Sequence, residues 1–266
     1  IPGVDLYVYE ALSYNYICFN MRQPRFADPV VRQAITYGFD RETYVEVLRE
    51  GFGIVANAPI PMASWAFTDE GINEYPYNPE LAAQMLAEAG WKPGPDGVLE
   101  KDDMRLEFEF LVPEGSRVTE QMALLFQQNM EDIGIKVNLV FMEFSAAVDR
   151  VDAREFDTFT MAWSLSVDPD PHGIWHSTSP WNDPGFFNER SDELIEMGRR
   201  ETDLEKRKEI YAEWQRLINY ELPTMFLSYG VTIAAVNERV QGIDTEPGPL
   251  GPLASLERLS TIWLAD

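Results

Sequence analysis

Basic residues are scarce in this sequence: 21 lysines and arginines stand against 45 aspartates and glutamates, leaving a formal charge of −24 over 266 residues. A field of that sign repels phosphate backbones and anionic lipid surfaces, and no local basic patch offsets it, so nucleic acid is not an expected partner. The same surplus suits a solvated, soluble surface and attracts cations. Cysteine is nearly missing too. Cys18 alone excludes an intramolecular disulfide and any CxxC metal or redox pair, which leaves core packing as its expected work. No apolar run approaches the roughly 20 residues that a membrane helix needs, and no basic-then-apolar leader is present. The sequence begins at Ile1 rather than methionine, as a processed chain or an excised domain would, so the missing leader is no sign of a cytoplasmic home.

Catalytic signatures are equally sparse. No G-x-x-x-x-G-K-[ST] loop occurs and no G-x-G-x-x-G follows a strand, which removes the usual routes to nucleotide binding. G-x-S-x-G is absent, and with His172 and His176 as the only histidines, a histidine-activated nucleophile has no recognisable setting. What is present is the material of a packed core. A hydrophobic share of 45% and an aromatic share of 12% exclude a wholly disordered chain, and the length suits one large α/β domain or two small ones.

Punctuation along the chain is clear. Tyr14, Tyr16, Ile17, Cys18 and Phe19 form a β-prone run. Asp28 then stands ready to cap a helix that Pro29 opens; Val31, Ala34 and Ile35 share its apolar face, and Gly38 offers a stop. Asp40 caps a second helix carrying Tyr44, Val45 and Leu48. Residues 58–77, with Pro59, Pro61 and Pro76 among Trp65, Phe67, Tyr75 and Tyr77, read as an ordered loop whose aromatics pack down or line a cleft. Asn78 and Pro79 begin the next helix and Gly90 closes it. Leu106, Phe108 and Phe110 alternate with Glu107 and Glu109 as in a strand with one buried face; a helix over 117–133 follows, then the alternating run Ile135, Val137, Leu139, Phe141. Strand, helix, strand at this spacing predicts a parallel pair with a right-handed connection. Residues 156–166 predict another strand, 191–200 and 203–219 two helices, and 224–236 one or two strands before a Gly/Pro-rich coil to Asp266.

The segment VDPDPHGIWHSTSPWNDPGF is unlike the rest, gathering prolines, glycines, acids, both histidines and two tryptophans in a structured surface loop. Asp168 and Asp170 suit paired carboxylates of a glycosidase, ligand acceptors or simple turn caps. His172 and His176, four apart with two acids upstream, offer a transition-metal donor set if they share a helical face, although Gly173 and the flanking prolines argue against a regular helix there. Trp163, Trp175 and Trp181 flank the same loop as pocket walls or core.

Taken together, YNYICFN with FADPVVRQAITYGFDRE, PIPMASWAF, YNPELAAQMLAEAGW with DGVLEKD, QQNMEDIGIKV, REFD, VDPDP and RKEIYAEWQRLINYELPTMFLSYG resemble, in this order, a family 5 extracellular solute-binding protein of ABC importers, the oligopeptide, dipeptide and nickel group. The resemblance implies an α/β, periplasmic-binding-protein-like lobe with a mixed β-sheet flanked by helices. Members are roughly twice this length, on the scale of two or more domains, so residues 1–266 are expected to form the second, C-terminal lobe, with both ends leading toward a hinge and the first lobe absent. The implied role is extracytoplasmic, periplasmic or as a cell-surface lipoprotein: capture of a peptide or other small solute between lobes and delivery to permease subunits, as a monomer, without catalysis or cofactor. Peptide-binding members hold the peptide amine with an aspartate three residues after the strand tryptophan, and some place an arginine three before it. Here those positions are Ser166 and Thr160, which weakens the peptide assignment unless Asp168 or Asp170 takes the amine. The expected ligand contacts are Trp163 and Trp175 as walls, Ser166 as a polar contact, and Asp168 and Asp170 as acceptors for a cationic or hydroxylated group. The alternatives are a carboxylate-based glycosidase and a nickel-type receptor using His172 and His176.

Overall fold

The computed structural model describes residues 3–243 and 262–264. Along the chain run β1 (Val4–Phe19), α1 (Pro29–Tyr37), α2 (Arg41–Thr43), β2 (Ile54–Val55), α3 (Pro79–Glu88), β3 (Lys92–Pro93), β4 (Leu99–Lys101), β5 (Met104–Arg105), β6 (Glu107–Pro113) and α4 (Arg117–Asp132). They are followed by β7 (Lys136–Met142), α5 (Phe144–Asp152), β8 (Thr158–Ser164), α6 (His172–Trp175), α7 (Glu189–Arg200), α8 (Leu204–Glu221), β9 (Thr224–Asn237), β10 (Val240–Gln241) and β11 (Trp263–Leu264). Most of the coil expected from Val236 to Asp266 lies outside the described residues, and within the described part β10 and β11 pair.

Six of these strands form one mixed sheet in the order β2-β9-β1-β8-β6-β7. β6 runs parallel to β7, as the strand, helix, strand spacing predicts, and also to β8, while β1 is antiparallel to both β8 and β9. Because side chains alternate along a strand, each face of the sheet collects its own core. Ile17 and Phe19 of β1 join Phe108, Phe110 and Val112 of β6 in one cluster under α1, α3 and α4. Tyr14, Tyr16 and Cys18 join Leu111, Phe159, Leu194, Trp214 and Ile218 in the other, under α7 and α8. Cys18 is buried and free, a core residue as expected. β6 begins with one buried face, but Leu111 and Val112 are both buried, the mark of a strand covered on two sides.

Local chemistry sets the helix boundaries. The Asp28 carboxylate accepts from the Val30 N–H, with Pro29 in the first turn where a missing donor is harmless. Asp40, Asn78, Ser116, Asn188 and Asp203 cap α2, α3, α4, α7 and α8 in the same way. Three expectations are refined. Gly38 ends α1 with an ordinary φ of −76°, so left-handed backbone is not what selects glycine. A Cβ there would sit 2.6 Å from Ile133 Cδ1, and close packing against the end of α4 is the constraint. The helix capped by Asp40 keeps one α turn and widens into a π turn over Tyr44–Leu48. Helix α5, absent from the sequence reading, is started by Glu143, whose carboxylate accepts from the Ser145 and Ala146 N–H groups.

Loop 58–77 is ordered; Trp65, Phe67 and Tyr75 pack down, while Tyr77 is left exposed. Trp65 lies 6.1 Å from Tyr211, Phe67 lies 6.2 Å from Tyr229 and Tyr75 lies 5.0 Å from Tyr37, ring to ring. At the far end of the sheet, among the described residues, Val4–Glu10 pairs with Val231–Asn237 alone, beyond a register shift between Glu10 and Tyr14. The result is a two-stranded ribbon that leaves Leu6, Val8 and Ile233 exposed.

Candidate functional site

β8 carries Trp163 into register with Tyr14 of β1 and stops one residue later. The chain beyond that carboxyl end is the VDPDP loop, and it bounds a recess of about 160 Å³. Lining it are Pro59 and Ile60 from the 58–77 loop, Trp163 to Ser166, Asp168 to Pro171, Ile174, Trp175, Trp181 and Trp214. Ligands of α/β sheets commonly sit outside the carboxyl ends of parallel strands, where loops rather than ladder bonds define the surface. This recess occupies such a place relative to β6 and β8. All five residues expected at the site, Trp163, Ser166, Asp168, Asp170 and Trp175, border it.

Their environments differ sharply. Trp163 is half-buried with its ring 6.0 Å from that of Trp181, and Trp181 is 57% exposed, so the pair forms an aromatic lip. Trp175 is buried and packs edge-on against Trp214 at 6.2 Å, which makes it floor rather than lip. Ser166 is exposed and free to meet a ligand. Thr160, where some peptide binders carry an arginine, is buried and donates its hydroxyl to the Tyr16 carbonyl at 2.9 Å, so it is spent inside the sheet.

Neither aspartate stands alone. Asp168 receives two bonds from the Arg207 guanidinium, at 2.9 and 2.7 Å. Asp170 meets Arg199 at 3.2 Å and accepts from the His172 N–H at 3.0 Å, the turn-capping role foreseen as one alternative. Each carboxylate thus already has an arginine partner. They remain suited to fixing a cationic or hydroxylated group by charge.

Arg207 is the residue that sequence reasoning missed. Its guanidinium also bonds the Tyr211 hydroxyl at 3.1 Å and the Gly198 carbonyl at 2.8 Å, and lies over the rings of Trp65 and Tyr211, 5.3 Å from each centroid. It thus ties loop, α7, α8 and the 58–77 segment together. The Asp168 carboxylate, chiefly, raises its pKa above the ordinary arginine value. No local signal links position 207 to 168, since the contact exists only once α8 is packed.

A larger recess of about 350 Å³ lies between the 58–77 loop and the β2 edge, lined by Arg41, Asn57, Phe67, Tyr75, Tyr77 and Tyr229 among others. Its one basic lining residue, Arg41, spends its N–H groups on the carbonyls of Ala56, Phe226, Glu74 and Tyr75, leaving little to hold a ligand. The smaller recess, with its exposed serine and aromatic lip, is the better candidate.

Of the remaining predicted pair, His172 opens the single turn of α6, which forms despite Gly173 and the neighbouring prolines, and His176 follows as its C-cap in extended backbone. Their rings stack 4.5 Å apart at 23°.

Residues 1–185 match the family model described as bacterial extracellular solute-binding proteins, family 5 middle. The oligopeptide-binding protein AppA of Bacillus subtilis is 34% identical over 96% of this chain and 47% of its own length. Heme-binding protein A of Haemophilus influenzae is 30% identical over 92% of this chain and 44% of its own. The solved structure of the B. subtilis AppA protein with a nonapeptide superposes with a TM-score of 0.85 at 32% identity, covering all of this chain and 53% of that one. This chain therefore spans about half the length of the relatives it matches.

Proposed function

This chain belongs to family 5 of the bacterial extracellular solute-binding proteins, which are transport receptors rather than enzymes, and from that premise we propose that it is the C-terminal lobe of an ABC-importer receptor for an extended peptide. The recess beyond β8 carries this reading. It offers an aromatic lip for side chains, an exposed serine for backbone polar groups and two aspartates for a peptide amine. The nonapeptide held by the B. subtilis AppA protein supports the ligand class, since that protein shares the fold across the whole of this chain. A peptide fits the chemistry better than a porphyrin, because neither histidine lines the recess.

In this reading, a first lobe closes over the recess and the bound peptide is handed to permease subunits outside the cytoplasm. The β1 and β9 ribbon supports such a join. Apolar Leu6, Val8 and Ile233 stand on strand segments that, among the described residues, pair with each other and with no further strand, a surface that a neighbouring lobe or hinge segment would cover. The receptor acts as a monomer that releases its ligand unchanged.

The test is a titration of the intact two-lobed protein with a pool of unmodified oligopeptides, followed by tryptophan fluorescence. Saturable one-to-one binding that weakens about tenfold or more with Trp163→Ala supports the proposal, the estimate resting on loss of a large aromatic contact. Wild-type protein that ignores every peptide while binding a sugar or heme would overturn the ligand class. Affinity unchanged in both Asp168→Ala and Asp170→Ala would remove the acidic loop from the site.

A further inference from the structure

Behind the recess, on the side of the VDPDP loop that faces α7, three donor groups converge without bonding one another. His172 Nε2 lies 3.9 Å from Glu196 Oε1, and His176 Nε2 lies 4.0 Å from the same oxygen. The ligating atoms of His172, His176 and Glu196 all fall within 4.8 Å of each other. Separations near 4 Å are too long for hydrogen bonds. They are close to the roughly 3.3–3.5 Å that separates two ligands of a tetrahedral ion with bonds of about 2.0–2.2 Å. Closing the difference takes a small rotation of side chains that are already part-buried.

From this geometry we propose a divalent transition-metal site formed by His172 Nε2, His176 Nε2 and Glu196 Oε1, taking an ion of the zinc, nickel or cobalt kind. Two imidazoles and one carboxylate match the ligand preference of such ions, and a fourth position is left for water or for Asp192, whose Oδ1 is 3.9 Å from His176 Nε2. Supporting contacts exist around the donors. Thr178 Oγ1 lies 2.8 Å from His176 Nδ1, placed to accept a hydrogen bond from the Nδ1–H when the other nitrogen holds metal, in exchange for the Thr178 N–H contact at 3.2 Å. The second oxygen of Glu196 is engaged by Arg200 at 2.6 Å, which turns the first toward the histidines. Arg199 approaches that first oxygen at 3.8 Å, but its closer partner is Asp170 at 3.2 Å, so it has somewhere to go when a metal enters. The chain's charge of −24 raises the local concentration of any cation.

Such an ion does work of its own, distinct from capturing the transported solute. It joins α6 to α7 and thereby fixes the backbone that carries Asp168, Asp170, Ile174 and Trp175 along the recess. The site is thus a clamp on the wall of the binding recess.

Tag-free, metal-stripped protein titrated with Zn²⁺, Ni²⁺ or Co²⁺ alone tests this, because no peptide is present and the outcome is independent of the transport reading. One equivalent is expected to bind and raise the melting temperature, and Co²⁺ is expected to give visible bands of nitrogen and oxygen coordination. His172→Gln and His176→Gln, each verified as folded by circular dichroism, are expected to weaken binding at least tenfold, and Glu196→Gln to weaken it less. Weak, unsaturable uptake by the wild type, or affinity unchanged in the double histidine variant, would show that the three groups form only a surface polar cluster. If one variant fails to fold, the Co²⁺ spectrum of the other still decides between these outcomes.

Discussion

In the first half of the chain, Arg32 and Arg41 are buried and donate mainly to backbone carbonyls, whereas beside the recess Arg199 and Arg207 stand partly exposed and pair with loop carboxylates. Arg32 reaches the carbonyls of Phe26, Ala27, Glu221 and Leu222, with the Glu221 carboxylate 3.5 Å away, and so ties α1 to the end of α8. Arg41 bonds four carbonyls from three separate segments. Burial pulls both down to about 10, yet each stays charged at neutral pH. These two cations act as fixed cross-braces, and removing one leaves several carbonyls buried without donors. The Asp168–Arg207 and Asp170–Arg199 pairs sit in water's reach, where exchange with a ligand or solvent is cheap. One kind of arginine holds the fold; the other positions a surface that has to respond.

The strongest challenge to this contrast is Arg32→Ala, expected to cost roughly 3–5 kcal/mol because it strands a set of buried acceptors. Urea unfolding of the purified protein measures it, and a cost below that of Arg207→Ala would invert the comparison. Next comes Gly198→Ala in α7. A Cβ there would run into the Tyr211 ring, itself fully buried, so overpacking of α7 on α8 is expected to cost about 1–3 kcal/mol in the same assay. Arg207→Ala is expected to cost about 1 kcal/mol, because its carboxylate partner is 57% exposed on the side chain. Its larger consequence falls on peptide affinity, through a freed Asp168 and a loosened loop. Isothermal titration beside unfolding separates the two, and equal affinity in variant and wild type would make Arg207 purely structural.

The smallest effect is on the acid limb of stability. Hydrogen bonds from Lys136, then Asn138 and Arg105, hold the Glu107 carboxyl at about 2, against an ordinary value of 4.5. Between those values the unfolded chain binds the proton more readily than the folded one, so this contribution is complete above pH 4.5 and fades as pH falls toward 2. Glu107→Gln is expected to flatten that part of a stability–pH curve slightly, the group being close to solvent. A curve of unchanged slope would assign the acid limb to other carboxylates.

Much of the fold was readable because local chemistry and global packing agree. Asp28–Pro29, Asp40 and Asn78–Pro79 announce helix starts by supplying acceptors or tolerating lost donors, and each does so in the structure. The alternation of Leu106, Phe108 and Phe110 likewise marked β6. Helix α5 was missed because its cap is a glutamate, an uncommon acceptor at that position, although Phe144, Ala147, Val148 and Val151 keep helical spacing. The first half of β1 was missed for a different reason. Val4 to Glu10 carries β-prone Val4, Tyr7, Val8 and Tyr9, but its partner strand in β9 lies more than 220 residues on, so its pairing is not visible locally.

The site divides the same way. Composition singled out the loop from Val167 to Phe186, and its tryptophans and aspartates do gather around one recess. The order of residues also determined the capped helices and the family, whereas the burial of the sheet on both faces appeared only in the structure. Tertiary structure alone decided that Asp168 is held by Arg207, that Trp175 is floor and Trp181 lip, and that Glu196 faces both histidines. Caps and periodicities act across a few residues and are written in sequence neighbours. Charge pairing and pocket walls join residues dozens of positions apart, and no neighbour carries that information until the helices have packed.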